Sequence, residues 1–306
     1  MSSRTIPDDH PFAGVVELPR DDAAEQISEP SAHGALHWAP HHDAGYVARM
    51  DAIARWVREH RPEAFVVDIS VEVATFVRLL GVPLVVVALP GMRDDPPHQS
   101  VYRMADRIIA AWPKELYSPQ WLEPYQDKTA FVGGISRFDG RHPEREPEQT
   151  DSATSVLVLA GAEGIGVEPA RFAASTSALD GVTWRTLGAV GGDWTADPWP
   201  QICAADVVVT HGGQNSIADV AAAARPAVVI PQPRPFEEQR TMGAVLQRSR
   251  LAVVAPRWPE VAEWPGLLSD ARSLRPHWQR WHVRGAAGRA AAAIEATARR
   301  YCGPQR

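Results

Sequence analysis

The chain has 306 residues, a formal net charge of −6 and a pI near 6.0, with 45% hydrophobic and 22% charged residues. That is enough chain for about two domains and a sizeable core, and the acidic balance argues against nucleic acid as the main partner. Two cysteines, Cys203 and Cys302, provide neither a disulfide framework nor thiolate zinc spacing, no apolar run approaches the roughly 20 residues of a membrane span, and the first nine residues are too polar for a signal peptide, all of which fits a reducing cytosol.

Residues 1–44 hold one apolar patch, Val15, Val16 and Leu18, in a background of Pro, Asp, Ser and His that reads as loop. His33, His37, His41 and His42 fall near helical spacing with Asp43 beside them, an arrangement that invites a metal. Pro40 interrupts the helix needed to align them and nothing nearby supplies further ligands, so a surface or acceptor-facing loop is expected. Residues 47–60 place Ile53, Trp56 and Val57 on one face of an amphipathic helix. A strand over 65–67, a helix over 71–80 closed by Gly81 and a strand over 83–89 make one right-handed βαβ unit. Asp68 ends the first of these strands, where its carboxylate either caps the next helix or faces a ligand crevice. Short strands are expected near 107–111 and 130–132. Residues 138–152, FDGRHPEREPEQTDS, have the polar composition of a linker and divide the chain into units 1–137 and 153–306.

The second unit opens with a buried strand over 155–159 and a loop, Gly161-Ala-Glu163-Gly164-Ile-Gly166, that is not the dinucleotide fingerprint and whose plain reading is a tight turn. A strand over 183–187 follows, then Asp197-Pro198 as N-cap and N1 of a short helix. Val207, Val208 and Val209 are a buried strand that Thr210-His211-Gly212-Gly213 breaks. A helix with Asn215 or Ser216 as its cap should carry Ile217, Val220 and Ala221 inward and stop before Arg225-Pro226. The next strand covers 227–230 and a loop covers 232–239. Parallel sheets bind ligands at the carboxyl ends of their strands, so 211–216 and 232–239 face one site. A glycine turn opening a helix offers free N–H groups at the positive end of the macrodipole, a seat for a diphosphate. Equally, Ser216 and Asp219 have the spacing of a capping box whose members satisfy each other. A last strand over 251–254 precedes a helical tail over 271–300, in which Trp278 and Trp281 pack inward while Arg275, Arg280, Arg284 and Arg289 stay solvated.

The run His211-Gly-Gly-Gln-Asn215-Ser216-Ile-Ala-Asp219, followed by Arg225-Pro226 and by Pro231 before Glu238-Gln239, resembles the donor-binding signature of UDP-sugar glycosyltransferases of the GT-B fold, the MurG-like enzymes among them. The resemblance implies an α/β fold of two Rossmann-like domains, the N-terminal one incomplete. It implies transfer of a hexosyl group from a UDP-sugar to an acceptor hydroxyl, with inversion and with neither metal nor cofactor. A sugar-nucleotide-binding protein without catalysis and a UDP-sugar epimerase of the same fold are the alternatives. The partners implied are the UDP-sugar and a small-molecule or lipid acceptor, with no nucleic acid and with peripheral contact as the only membrane association.

Carried over by position, the resemblance gives the diphosphate to His211, Gly213, Asn215 and Ser216, the ribose to Asp219 and the donor sugar to Glu238 and Gln239, with Gly212 also in the donor site and the loop of Gly161 and Gly164 facing the diphosphate. Two positions depart from the family: Asp219 stands for the usual glutamate and Arg225 for the usual glycine. Asp68 stands where many of these enzymes hold an aspartate that orients a catalytic histidine. That histidine belongs in a glycine-rich turn after the first strand of the N-terminal domain, and no such turn precedes Pro11. The chain as written is therefore expected to bind UDP and to transfer sugar poorly, unless His33, His37, His41 or His42 takes the acceptor proton.

Overall fold

The computed structural model describes residues 1–6, 10–23, 26–143, 153–160, 164, 166–188 and 195–301. Ala44–His60 (α1) starts where Asp43 accepts from the Tyr46 N–H at 2.6 Å and ends at Arg61 in the left-handed region. Phe65–Asp68 (β1), Leu84–Ala88 (β2), Arg107–Ala110 (β3) and Thr129–Phe131 (β4) then pair in that order, all parallel. The β-branched content of β2 and β3 suits strands covered on both faces, and Leu84, Val85, Ile108 and Ala110 are fully buried. Val71–Leu79 (α2) is capped by Ser70, whose hydroxyl accepts from the Val73 N–H at 3.2 Å. Pro96–Met104 (α3), which the pattern of charges and prolines concealed, starts with proline in its first turn behind Asp95.

The second sheet contains Thr154–Leu159 (β5), Val182–Leu187 (β6), Val207–Thr210 (β7), Ala227–Val229 (β8) and Val253–Val254 (β9), all parallel, in the order β6-β5-β7-β8-β9. The order reverses between β5 and β7, which makes the carboxyl ends of those two strands a topological switch point, the usual crevice of such sheets. Pro169–Ser177 (α4), Trp199–Ala204 (α5), Gln214–Ala222 (α6), Glu238–Arg248 (α7) and Trp264–Leu274 (α8) are the helices of this half.

Three expectations are corrected. Asn215 and Ser216 do not cap α6: Gly213 is the N-cap, and the other two lie in the first turn. A Cβ on Gly213 would meet His211 Cε1 at 2.6 Å, so any side chain there would have to displace the His211 ring. The tail is not one helix. Arg275 in the left-handed region and Pro276 end α8, Trp278–Trp281 makes a short 3₁₀ turn, and Ala286–Tyr301 (α9) follows. Trp278 and Trp281 are buried in the main core, and Trp278 Nε1 donates to the Arg225 carbonyl at 2.8 Å, so they anchor the turn and not a helix face. Finally, α9 crosses back to the first sheet, where Ala290 packs with Val85, Ile109 and Val132. The division at 152/153 therefore leaves this helix with the wrong sheet. Of the expected linker, Phe138 is core and residues 144–152 lie outside the described residues.

Two strands of chain join the halves. On the outward crossover the Ser136 hydroxyl donates to Asp219 Oδ1 at 2.7 Å, and on the return Gly285 N–H donates to the Asp139 carboxylate at 2.9 Å. A third contact closes the lip of the cleft, where Met92 N–H donates to the Phe236 carbonyl at 2.8 Å.

Candidate active site

The turn after β7 is built around His211. Gly213 N–H donates to its Nδ1 at 3.0 Å, which fixes the neutral tautomer with the proton on Nε2, and Nε2 lies 3.4 Å from Ser216 Oγ. Among the described residues the N–H groups of Gln214, Asn215 and Ser216, the first turn of α6, have no partner. They converge with the His211 Nε2–H at the positive end of the helix, beside an exposed Asn215. Such a cluster seats an anion.

Gln239 holds the turn in place. It is 4% exposed, and its Oε1 accepts from both Gly212 N–H at 3.1 Å and Gln232 N–H at 2.9 Å, tying the loop after β7 to the loop after β8. Gln232 in turn donates through Nε2 to the Gly164 carbonyl at 3.0 Å, which brings in the loop after β5. Three carboxyl-end loops thus share one hydrogen-bonded frame around the switch point. Gly161 lies outside the described residues. Gln239, which the family resemblance gives to the sugar, thus has its side-chain oxygen engaged in the frame.

Asp219 is turned to the crossover. Its two oxygens accept from Ser136 Oγ at 2.7 Å and Arg137 Nε at 3.3 Å, and it is 6% exposed. No capping box with Ser216 forms, because the carboxylate sits a full turn inside the helix and faces the other domain's chain. Burial pushes its carboxyl above the ordinary range against the pull of Ser136 and Arg137.

Across the cleft stand groups that local patterns did not single out. Arg93, 3% exposed, donates to Glu238 Oε2 at 3.3 Å, to His98 Nε2 at 3.2 Å and to the Pro90 carbonyl at 3.3 Å, with its guanidinium 4.5 Å from the Phe236 ring centre. Asp95 accepts from His98 Nδ1 and from His37 Nε2, both at 2.6 Å. The one local clue was the i, i+3 spacing of Asp95 and His98 behind a proline helix start. Of the four N-terminal histidines only His37 enters this cluster. The His33 side chain is 89% exposed beside Glu29, and His41 and His42 are exposed with their rings tilted to each other, 6.2 Å apart.

Asp68 lies at the cleft end of β1 and makes no hydrogen bond to a histidine among the described residues. Burial raises its carboxyl, and burial likewise raises that of Glu238, to which the nearby Asp68 charge adds while Arg93 opposes. The next residue, Ile69, holds φ at +75°, a costly conformation for a β-branched side chain. It borders a narrow hollow whose wall mixes Val71, Val87 and Val101 with Arg93, His98 and Tyr102.

Comparisons with known proteins bear on the second half and on the fold. Residues 196–252 match the model of the glycosyltransferase family 28 C-terminal domain, the stretch that includes the glycine turn and the Gln239 clamp. The fold is that of the GT-B glycosyltransferases. Its solved neighbours include the glycotransferase of kitacinnamycin, 16% identical with a TM-score of 0.60 over 82% of this chain and 80% of that one, and MurG of Acinetobacter baumannii, 17% identical with a TM-score of 0.56 over 81% and 77%. In sequence the chain is 25% identical over 230 residues to the UDP-N-acetylglucosamine–N-acetylmuramyl-(pentapeptide) pyrophosphoryl-undecaprenol N-acetylglucosamine transferase of Idiomarina loihiensis, covering 67% of this chain. The match spans 61% of the length of that relative. Among the described residues no helix is long and apolar enough to cross a membrane.

Proposed function

We propose that the protein transfers a hexosyl group from a UDP-sugar to an acceptor hydroxyl, with inversion and without a metal. The observation that carries this reading is the set of unpartnered N–H groups at the start of α6, joined by His211 Nε2–H and held by Gln239 at the switch point. The chemistry follows from that seat. The UDP diphosphate bound there is a leaving group whose growing negative charge meets fixed donors and the helix dipole, so the bond between the anomeric carbon and the phosphate oxygen breaks at a stabilised anion. The acceptor oxygen attacks the opposite face of the anomeric carbon, which inverts it. Glu238, at the head of α7 and tied to Arg93, stands at the lip of the cleft where donor hydroxyl groups would be bound.

The test is calorimetric titration with UDP and with ADP, then UDP release from several UDP-sugars with phenolic, lipid and sugar acceptors. Selective UDP binding and acceptor-dependent release are expected. Absence of UDP binding sinks the reading, and conversion of the donor sugar without any acceptor makes the protein an epimerase.

A further inference from the structure

Asp95 occupies the N-cap position of α3, yet its side chain makes no cap hydrogen bond. A carboxylate there normally accepts from the helix N–H groups and stabilises the helix start, a contact that this one gives up. Both of its oxygens turn instead to histidines, His98 on one side and His37 on the other, each at 2.6 Å. His37 comes from a loop 58 residues earlier in the chain, so the pairing is a long-range one.

The hydrogen bonds fix where the protons are. Arg93 has only N–H groups to offer, so at 3.2 Å His98 Nε2 must accept, and the His98 proton must lie on Nδ1, aimed at Asp95 Oδ1. Burial lowers the His98 pKa and outweighs the opposing pull of Asp95, which keeps that ring neutral at neutral pH. Burial works against the Asp95 charge, and the bonds from His37 and His98 together still hold its carboxyl below the ordinary range. An ionised Asp95 that already accepts from His98 takes the His37 proton on Nε2. His37 Nδ1 then keeps its lone pair, and it has no partner among the described residues. The His37 side chain is 29% exposed, its ring centre 5.2 Å from that of Phe236 on the opposite lip of the cleft.

His37, Asp95 and His98 also offer ligand atoms within 4.8 Å of one another, the spacing of a metal site. Arg93 argues against one. A metal on His98 Nδ1 would require the proton on Nε2, pointed at a guanidinium that has no lone pair to receive it.

We infer that His37 is the base that takes the acceptor proton, positioned by Asp95, with His98 and Arg93 setting the tautomer. The inference rests on the proposed glycosyl transfer. In the step, the acceptor O–H bond breaks and its proton goes to His37 Nδ1. The oxygen forms the new bond to the anomeric carbon, and the electron pair of the old carbon–oxygen bond leaves with UDP. The base therefore comes from the loop before α1, and Asp68 has no part in orienting it. The groups that set the charge around His37 are Asp95, His98 and Arg93 beside α3, Glu72 of α2, whose Oε1 accepts from the His37 backbone N–H at 2.8 Å, and Glu238 on the far lip.

The experiment compares the full chain with His37→Gln and His37→Gly, after confirming native melting and UDP affinity for each. Transfer to an aliphatic alcohol should fall about 10² to 10⁴-fold in both, while UDP affinity stays within about threefold. Added imidazole should restore transfer in His37→Gly and not in His37→Gln, a result that a purely structural histidine would not give. An acidic phenol acceptor should lose far less than the alcohol, because it needs less help with its proton. Transfer kept within about threefold in His37→Gln, or zinc or manganese binding that His37→Gln abolishes, overturns the assignment. Wild-type protein that binds UDP but transfers nothing overturns it while leaving the donor seat intact, and failure to bind UDP removes both.

Discussion

Asp219 offers the sharpest test of how the donor half is built, because two roles for it predict opposite pairs of outcomes. In Asp219→Ala the buried Ser136 hydroxyl loses a charged acceptor at 2.7 Å, worth about 1.5–3 kcal/mol. The Arg137 contact adds no more than a few tenths, since that side chain is 56% exposed and its pairing is screened. Against this stands the cost of burying the carboxylate, which raises its pKa. The net loss is about 1–3 kcal/mol, or roughly 2–6 °C in melting temperature for a chain of this size. Asp219→Asn keeps an oxygen for Ser136 and removes the buried charge, so it should melt within about 1 °C of wild type at pH 7. UDP affinity should change less than about threefold in either variant. Contact with both ribose hydroxyls would instead cost about 1.5–3 kcal/mol of binding, roughly 10- to 150-fold in affinity. Scanning fluorimetry and UDP titration on the same samples separate the two. A tenfold loss of affinity with an unchanged melting temperature refutes the crossover role.

Other perturbations probe the frame and the lip of the cleft. Gly91 holds φ at +107° and a Cβ there would lie 2.2 Å from the Phe236 carbonyl oxygen, so Gly91→Ala should cost about 1–3 kcal/mol and part the lips; an unchanged radius of gyration in small-angle scattering would contradict this. Gln239→Leu orphans the Gly212 and Gln232 N–H groups at about 1–3 kcal/mol each, and UDP affinity should drop at least about tenfold; full affinity at a lowered melting temperature would show that the clamp does not shape the seat. Asp68 and Glu238 both have raised carboxyl pKa values in the folded state. Their contribution is therefore fully present below the unfolded carboxyl pKa near 4 and is lost as pH rises through the raised values. Asp68→Asn should accordingly be more stable than wild type at pH 7 and equal to it near pH 3.5; a gap of the same size at both pH values would reject the raised pKa.

The strands were legible because they are buried on both faces. Val207, Val208 and Val209, or Leu84, Val85 and Val86, carry their environment in their composition. The glycine turn was legible for a related reason: its chemistry depends on a local backbone path that only certain residues permit. Cap chemistry misleads where a side chain has a more distant partner. Ser216 and Asp219 have capping-box spacing, but Asp219 is claimed by Ser136, 83 residues away, and Asp95 surrenders its cap to His37. Arg93, Asp95 and His98 sit among charges and prolines that read as loop, and their meaning appears only when a loop from before α1 and the Phe236 turn from the second half close on them. Neither approach leaves a trace at short sequence range. The reading of four histidines as one loop was too coarse for the same reason: His33, His41 and His42 stay outside, and the path of the chain singles out His37.

Arg93 is where the two halves become one site. Its guanidinium has a fixed planar fork, and each arm serves a different domain: Nη2 reaches Glu238 at the head of α7, while Nη1 reaches His98 in the first half. The ring of Phe236 lies over the same cation at 4.5 Å and also meets His98 at 4.8 Å, ring centre to ring centre. Parting the lips by a few ångströms would remove the Glu238 and Phe236 contacts from a cation that is only 3% exposed. An uncompensated buried charge is costly, so the guanidinium would move toward water and withdraw the donor that fixes the His98 tautomer. His98 would then be free to carry its proton on either nitrogen, and Asp95 would lose one of the two bonds that keep it ionised. The proton-accepting arrangement around His37 is thus complete only when the Phe236 turn is seated, which ties readiness for proton transfer to closure of the loop that borders the donor site.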